Sequence, residues 1–199
     1  MNVEKELLAI IPKLLKAYDA DKRGTNFDVG VGTFNFYCEL FAKLGYSTIA
    51  IEPLPSQAVK SFIGNPKITL VEGCLLDKNG TVEIYSGVYN DTECTDVSSV
   101  NKDWWGITDK SQKKIVSSFT LQTLITQQNI KEISYFKIDT EGSEEPIILQ
   151  FTSLHQTLLP KVIEFEYGGG SAKKEGKDGW ANKYFTGTIQ SIHTLKNLG

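Results

Sequence analysis

The chain is short of the residue types that announce several common functions. Its three cysteines (Cys38, Cys74 and Cys94) are odd in number and far apart in 199 residues. Neither a disulfide framework nor a metal knuckle fits that pattern, so a reducing compartment, the cytoplasm, is the expectation. Histidine is scarcer still. His155 and His193 are the only two, and both fall on stretches expected to be helical and remote from any site. Basic residues show no excess: 21 Lys and Arg face 24 Asp and Glu, for a net charge of -3, and no basic run occurs. A nucleic-acid-binding surface is therefore not expected. Long apolar runs are missing too. The amino-terminal MNVEKELLAIIPKLLKAY is interrupted by charges and by Pro12, which fits neither a signal peptide nor a membrane span. Without internal repeats or low-complexity segments, the length suits a single domain over residues 1–199.

What is present centres on FDVGVGTFN, Phe27 to Asn35. It reads as a buried strand end, a turn with glycines two apart (Gly30, Gly32), and the start of a helix. Glycines at this spacing let the backbone approach a ligand, and the helix start offers free N–H groups and a positive dipole end. Asp28 places a carboxylate at the strand tip. Phe36, Leu40, Phe41 and Leu44 then predict one face of a helix capped at Gly45, and STIAIEP predicts a strand ending in Glu52. Strand, glycine turn, helix, strand and acid make a βαβ unit. Its acid lies about twenty positions beyond the glycines, where a carboxylate can accept ribose hydroxyls.

Upstream, apolar residues from Leu7 to Tyr18 recur at helical spacing, so residues 1–24 are read as a helical segment that Pro12 kinks or restarts. Downstream, a short helix is expected over Pro55–Ile63 and a strand over Ile68–Leu75. Asn79-Gly80 then predicts a β-hairpin joining that strand to Thr81–Tyr85. Residues 86–118 read as an irregular insertion carrying Trp104-Trp105, either a flap over the substrate or a pin to the core. Regular structure resumes near Phe119. Ile133–Ile138 predicts a strand with Asp139 at its tip, followed by the turn Thr140-Glu141-Gly142. Ser143 is the expected N-cap of the next helix, with Glu144 and Glu145 favouring its dipole. Pro160–Tyr167 predicts a strand carrying Glu164 and Glu166. GGGSAKKEGKDG reads as a flexible loop, and a last helix runs through Phe185, Ile189, Ile192 and Leu195.

The runs FDVGVGTFNFY, IAIEPLP, VEGCLLDKNGTV, SYFKIDTEGSEEPIIL and VIEFE resemble the FkbM-type methyltransferases, a branch of the S-adenosylmethionine-dependent methyltransferases. The resemblance extends from about Thr25 to Tyr167. It implies an α/β fold: a Rossmann-like, doubly wound sheet of the class I methyltransferase type, with S-adenosylmethionine across the carboxyl ends of the first strands. On this resemblance Asp28, Gly30 and Gly32 line the methionine part, and Thr33, Phe34 and Asn35 open the helix beside it. Glu52 holds the ribose hydroxyls, Pro53 flanks the adenine, and Cys74 and Leu75 lie at the adenine edge. Asp139 stands at the methionine amino group or the transfer point. The sequence departs from the family in two places: it ends before the usual closing strand hairpin, and it reads Thr120-Leu121-Gln122 where a TLD-like block is usual.

The expected reaction is methyl transfer to a hydroxyl of a sugar, glycan or small metabolite. Asp139 is the first candidate base, Glu141 the second and Glu164 the third. Lys137 is expected to place a positive charge beside Asp139. No cluster shows metal-ligand spacing and no metal is assigned, although Asp139 with Glu141 could coordinate a divalent cation. Two alternatives stand beside this reading. A nicotinamide-dependent oxidoreductase is disfavoured because Asn35 occupies the place of the third fingerprint glycine. A cofactor-binding module without turnover is the other.

Overall fold

Five short runs rich in β-branched and aromatic residues form the centre of the molecule. The computed structural model, which describes residues 3–62, 64–166 and 182–199, sets them side by side in one parallel sheet. In chain order the elements are α1 (Val3–Tyr18), β1 (Thr25–Val29), α2 (Phe36–Lys43), β2 (Thr48–Glu52), α3 (Gln57–Lys60), β3 (Ile68–Glu72), β4 (Cys74–Leu75), β5 (Gly80–Tyr85), β6 (Val88–Tyr89), β7 (Thr92–Glu93) and β8 (Lys113–Phe119), followed by α4 (Leu121–Gln127), β9 (Ile133–Ile138), α5 (Glu144–Leu149), β10 (Val162–Phe165) and α6 (Asn182–Leu198). The sheet order is β10-β9-β1-β2-β3, with every pair parallel.

Alternation along the strands sends side chains to two helical layers. Phe27, Val29, Ile49, Ile51, Phe136 and Ile138 pack with α4, α5 and the end of α6 on one face. Phe27 stacks on Phe136 at 4.8 Å, and Phe136 meets the edge of Phe151 at 5.1 Å. On the other face Tyr135 packs with α1 and α2, while Ala50 and Ile68 pack with α2 and α3. This is the doubly wound α/β architecture that the sequence implies. α1 continues through Pro12 without restarting. Among the described residues no helix is long and apolar enough to cross a membrane.

The antiparallel excursion exists, but not as the hairpin expected across Asn79-Gly80. β5 pairs antiparallel with β8, and β8 also pairs parallel with β4, giving the order β4-β8-β5. Residues 76–79 therefore carry the chain across the end of β8, where the Asn79 side chain accepts from the Thr120 N–H at 2.9 Å. The tight hairpin lies instead at Asn90-Asp91, both left-handed, between β6 and β7. Nor is the stretch from 86 to 118 irregular throughout, because β8 occupies Lys113–Phe119. Most of β8 is exposed, so KKIVSSF lacks the apolar alternation that marks a half-buried strand. The loop GGGSAKKEGKDG, Ile63 and Tyr167 lie outside the described residues.

Candidate active site

The strand order reverses between β1 and β9, since β2 and β3 lie to one side and β10 to the other. In open α/β sheets a crevice forms at the carboxyl ends beside such a reversal. Here it holds a cavity of about 270 Å³. The glycine turn makes its floor. Gly30 has a φ of +77°, and a Cβ there would stand 1.7 Å from the Asp139 carbonyl oxygen. Glycine is thus required for β1 and β9 to end against each other. Gly32, Phe34, Pro53, Cys74 and Leu75 also line the cavity, together with Lys137, Asp139 and Glu141.

Glu52 is held at the tip of β2, only 5% exposed. One carboxylate oxygen accepts from the Gly32 N–H and the other from the Leu54 N–H, both at 2.8 Å. Burial raises its affinity for a proton, and these two amides pull it back. Each oxygen keeps a second lone pair, so the carboxylate can still accept a pair of vicinal hydroxyls. Close by, burial and then the Glu52 charge push the Cys74 thiol up to about 12, so it forms neutral wall.

The tip of β9 is crowded. Glu164, Lys137 and Asp28 are register partners on three neighbouring strands and form a charged row. The Lys137 ammonium donates to the Gly30 carbonyl at 2.5 Å and lies 3.3 Å from Asp28 and 3.7 Å from Asp139. Burial draws its pKa down, but the Asp28 and Asp139 charges outweigh that and raise it. One oxygen each of Asp139, Glu141 and Glu166 lies within 4.8 Å of the others. Burial, then the Asp139 charge, pushes Glu141 up to about 8. Glu166 is raised as well, by burial first and then by its acidic neighbours. Such a group can share protons or hold a cation.

Not every expected residue reaches the cavity. Asp28, expected at the methionine part, is 1% exposed and stands behind the glycine turn, where the Cys38 thiol donates to it at 3.1 Å. Its side chain faces α2 because Asp28 and Asn26 share the sheet face opposite Phe27 and Val29. Glu164, the third candidate base, accepts from the hydroxyls of both Tyr37 and Tyr135, one to each oxygen. Thr33 meets the cavity only through Asp96, a wall residue that accepts from its N–H and hydroxyl, and Asn35 occupies the N-cap of α2 without a side-chain capping bond. Ser143 likewise stands at the N-cap of α5 without a side-chain capping bond. The buried Glu144 carboxylate instead accepts from the Thr140 N–H and hydroxyl, both at 2.8 Å, and from the Gly142 N–H at 3.1 Å.

The insertion supplies a wall that no local sequence signal announces, through Thr95, Asp96, Ser98, Ser99 and Val100. Trp104 pins it. The indole N–H donates to the Glu141 carboxylate, and the ring meets Tyr184 edge-on at 4.9 Å. The Ser99 hydroxyl donates to the Glu141 carbonyl at 2.6 Å, and the Asn101 amide to the Gly142 carbonyl at 3.0 Å. Of the two expectations for the tryptophan pair, the contacts of Trp104 are those of a pin.

No curated protein and no solved structure matches this chain. A family model does: the methyltransferase FkbM domain matches residues 21–193, which include β1 through β10 and all of the cavity wall. The chain belongs to the FkbM methyltransferase family.

Proposed function

We propose that this methyltransferase uses S-adenosylmethionine and transfers its methyl group to a hydroxyl of a sugar, glycan or small metabolite. The observation that carries the reading is the pair of acids across the reversal of strand order. Glu52 at the tip of β2 and Asp139 at the tip of β9 both line the cavity with β1 between them. Two strand spacings separate them by about 10 Å. The acidic wall suits a ligand that carries positive charge.

When bound, the cofactor would supply a methyl group already activated on a cationic sulfur. Glu52 accepts the ribose hydroxyls through the lone pairs that Gly32 and Leu54 leave free. Pro53, Cys74 and Leu75 form the apolar wall for the base. Asp139 takes the proton from the acceptor hydroxyl, and Lys137 supplies positive charge beside that carboxylate. Because Glu164 is tied to two tyrosines, its part is to fix the row beneath Lys137, not to move protons. Glu141 joins the strap of the insertion to the β9 tip through Trp104. Holding donor and acceptor in line accounts for most of what the protein must contribute. The three free thiols agree with a cytoplasmic setting for this chemistry.

Calorimetry with S-adenosylhomocysteine tests the assignment. Glu52→Ala should weaken binding by about 2–3 kcal/mol, the scale of hydrogen bonds to a charged group. Wild-type affinity in that variant would remove Glu52 from the ribose and the cofactor from this cavity.

A further inference from the structure

A ligand carboxylate entering this cavity meets a wall short of positive partners. Among the described residues, four acids line it (Glu52, Asp96, Asp139 and Glu141) against one cationic side chain, Lys137. That ammonium is already held by Asp28, the Gly30 carbonyl and Asp139. The donors best placed for an anion are instead the N–H and hydroxyl of Thr33, where the glycine turn passes into α2 and the backbone favours negative charge. Asp96 takes both. One Asp96 oxygen accepts from the Thr33 N–H at 2.5 Å, and the other from the Thr33 hydroxyl at 2.8 Å. The contact also constrains Gly32, where a Cβ would stand 2.6 Å from the Asp96 oxygen that accepts from the Thr33 N–H.

Asp96 reaches Thr33 from 63 residues away, on a segment fastened more deeply at its other end. There Ser99, Asn101 and the buried Trp104 all bind the turn after β9. The segment is a strap across the cavity. Its Glu141 end is part-buried, whereas its Asp96 end is exposed to water. An exposed charged contact is the weaker fastening of the two.

Resting on the cofactor reading above, the geometry points to Asp96 as an internal competitor of the cofactor. Its carboxylate occupies the Thr33 donors that the cofactor's amino-acid carboxylate takes on binding, and the Asp96 end of the strap swings away. Two carboxylates cannot share one N–H and one hydroxyl without like-charge repulsion, so one must leave.

Calorimetry on the full chain with two ligands tests this. S-adenosylhomocysteine carries the amino-acid carboxylate, and 5′-methylthioadenosine is the same nucleoside thioether without it. Asp96→Ala should tighten S-adenosylhomocysteine about five- to tenfold, an exposed charge-assisted bond's worth, and leave 5′-methylthioadenosine within about twofold. Asp96→Asn keeps the side chain's bulk without its charge, so it reports the same preference even if the alanine loosens the strap. A loss of S-adenosylhomocysteine affinity in both variants overturns the proposal, because Asp96 would then be a direct ligand of the cofactor. An equal change for both ligands also overturns it, since the effect would then lie in the nucleoside pocket. A wild type that binds neither ligand overturns the cofactor reading itself, an outcome distinct from the other two.

Discussion

The two ends of the cavity treat negative charge in opposite ways. At the tip of β2 one buried carboxylate, Glu52, has a backbone N–H on each oxygen. At the tip of β9 three carboxyls crowd within 4.8 Å, and the nearby ammonium is divided between Asp28 and Asp139. The first end is satisfied by the protein's own backbone. The second holds more acids than cations among the described residues, and burial, then the Asp139 charge, raises Glu141 to about 8. A finished end suits recognition of a constant part of a ligand. An overfilled end suits a cationic group and proton movement, because small changes there shift charge at neutral pH.

The largest effect should come from beneath the crowded end. Asp28→Ala would leave the Lys137 ammonium buried without its nearer carboxylate, a loss on the order of 3–5 kcal/mol of folding stability. Chemical denaturation measures this directly. Because Asp28 stands behind the glycine turn, S-adenosylhomocysteine affinity in the surviving folded protein should change little, unlike that of Glu52→Ala. A variant as stable as wild type would mean that Asp139 alone satisfies Lys137, and the contrast between the two ends would weaken.

The next effect is a pH dependence confined to the β9 end. Glu141 has a folded pKa of about 8 against an ordinary value of 4.5. A carboxyl raised on folding contributes stability that is full below about pH 4.5 and lost as pH rises through about 8. At about 1.4 kcal/mol for each tenfold gain in proton affinity, the fall between pH 5 and pH 9 should be on the order of a few kcal/mol. Glu166 is raised in the same direction and extends the loss upward. Thermal melts at pH 6 and pH 9 should therefore lie closer together in Glu166→Gln than in wild type. Equal spacing in the two proteins would show that the three carboxyls do not share protons.

The β2 end was the more legible of the two in the sequence, for a physical reason. Its parts are local: a glycine turn, one helix and a β-branched strand ending in acid, all within 26 residues from Phe27 to Glu52. The strand tips at Glu52 and Asp139 follow from the same pattern. What local pattern cannot give is which way a strand-end acid faces. Asp28 and Glu52 look alike in sequence, yet one points at α2 and the other lines the cavity. Glu164 and Glu166 are two residues apart, but β10 ends between them, so the first meets tyrosines and the second joins Asp139. β8 was hidden because its side chains are mostly solvent-exposed, and Asp96 because it finds Thr33 only through the folded insertion. The hairpin signal at Asn79-Gly80 was overridden by β8, which lies between β4 and β5.

The smallest predicted effect separates charge from packing at the crowded end. The Trp104 indole N–H donates to Glu141, and this bond lowers a carboxyl that burial and Asp139 otherwise raise. Trp104→Phe removes the donor and shrinks a buried ring, and the packing loss is the same at every pH. The hydrogen bond is not. Below about pH 8 the indole faces a mostly protonated carboxyl, whereas above it the acceptor is charged and the bond is stronger. The gap in melting temperature between wild type and Trp104→Phe should therefore be wider at pH 9 than at pH 6, by the equivalent of about 1 kcal/mol. A gap independent of pH would reduce Trp104 to packing alone, and the strap would then be fastened by Ser99 and Asn101, whose backbone acceptors do not titrate.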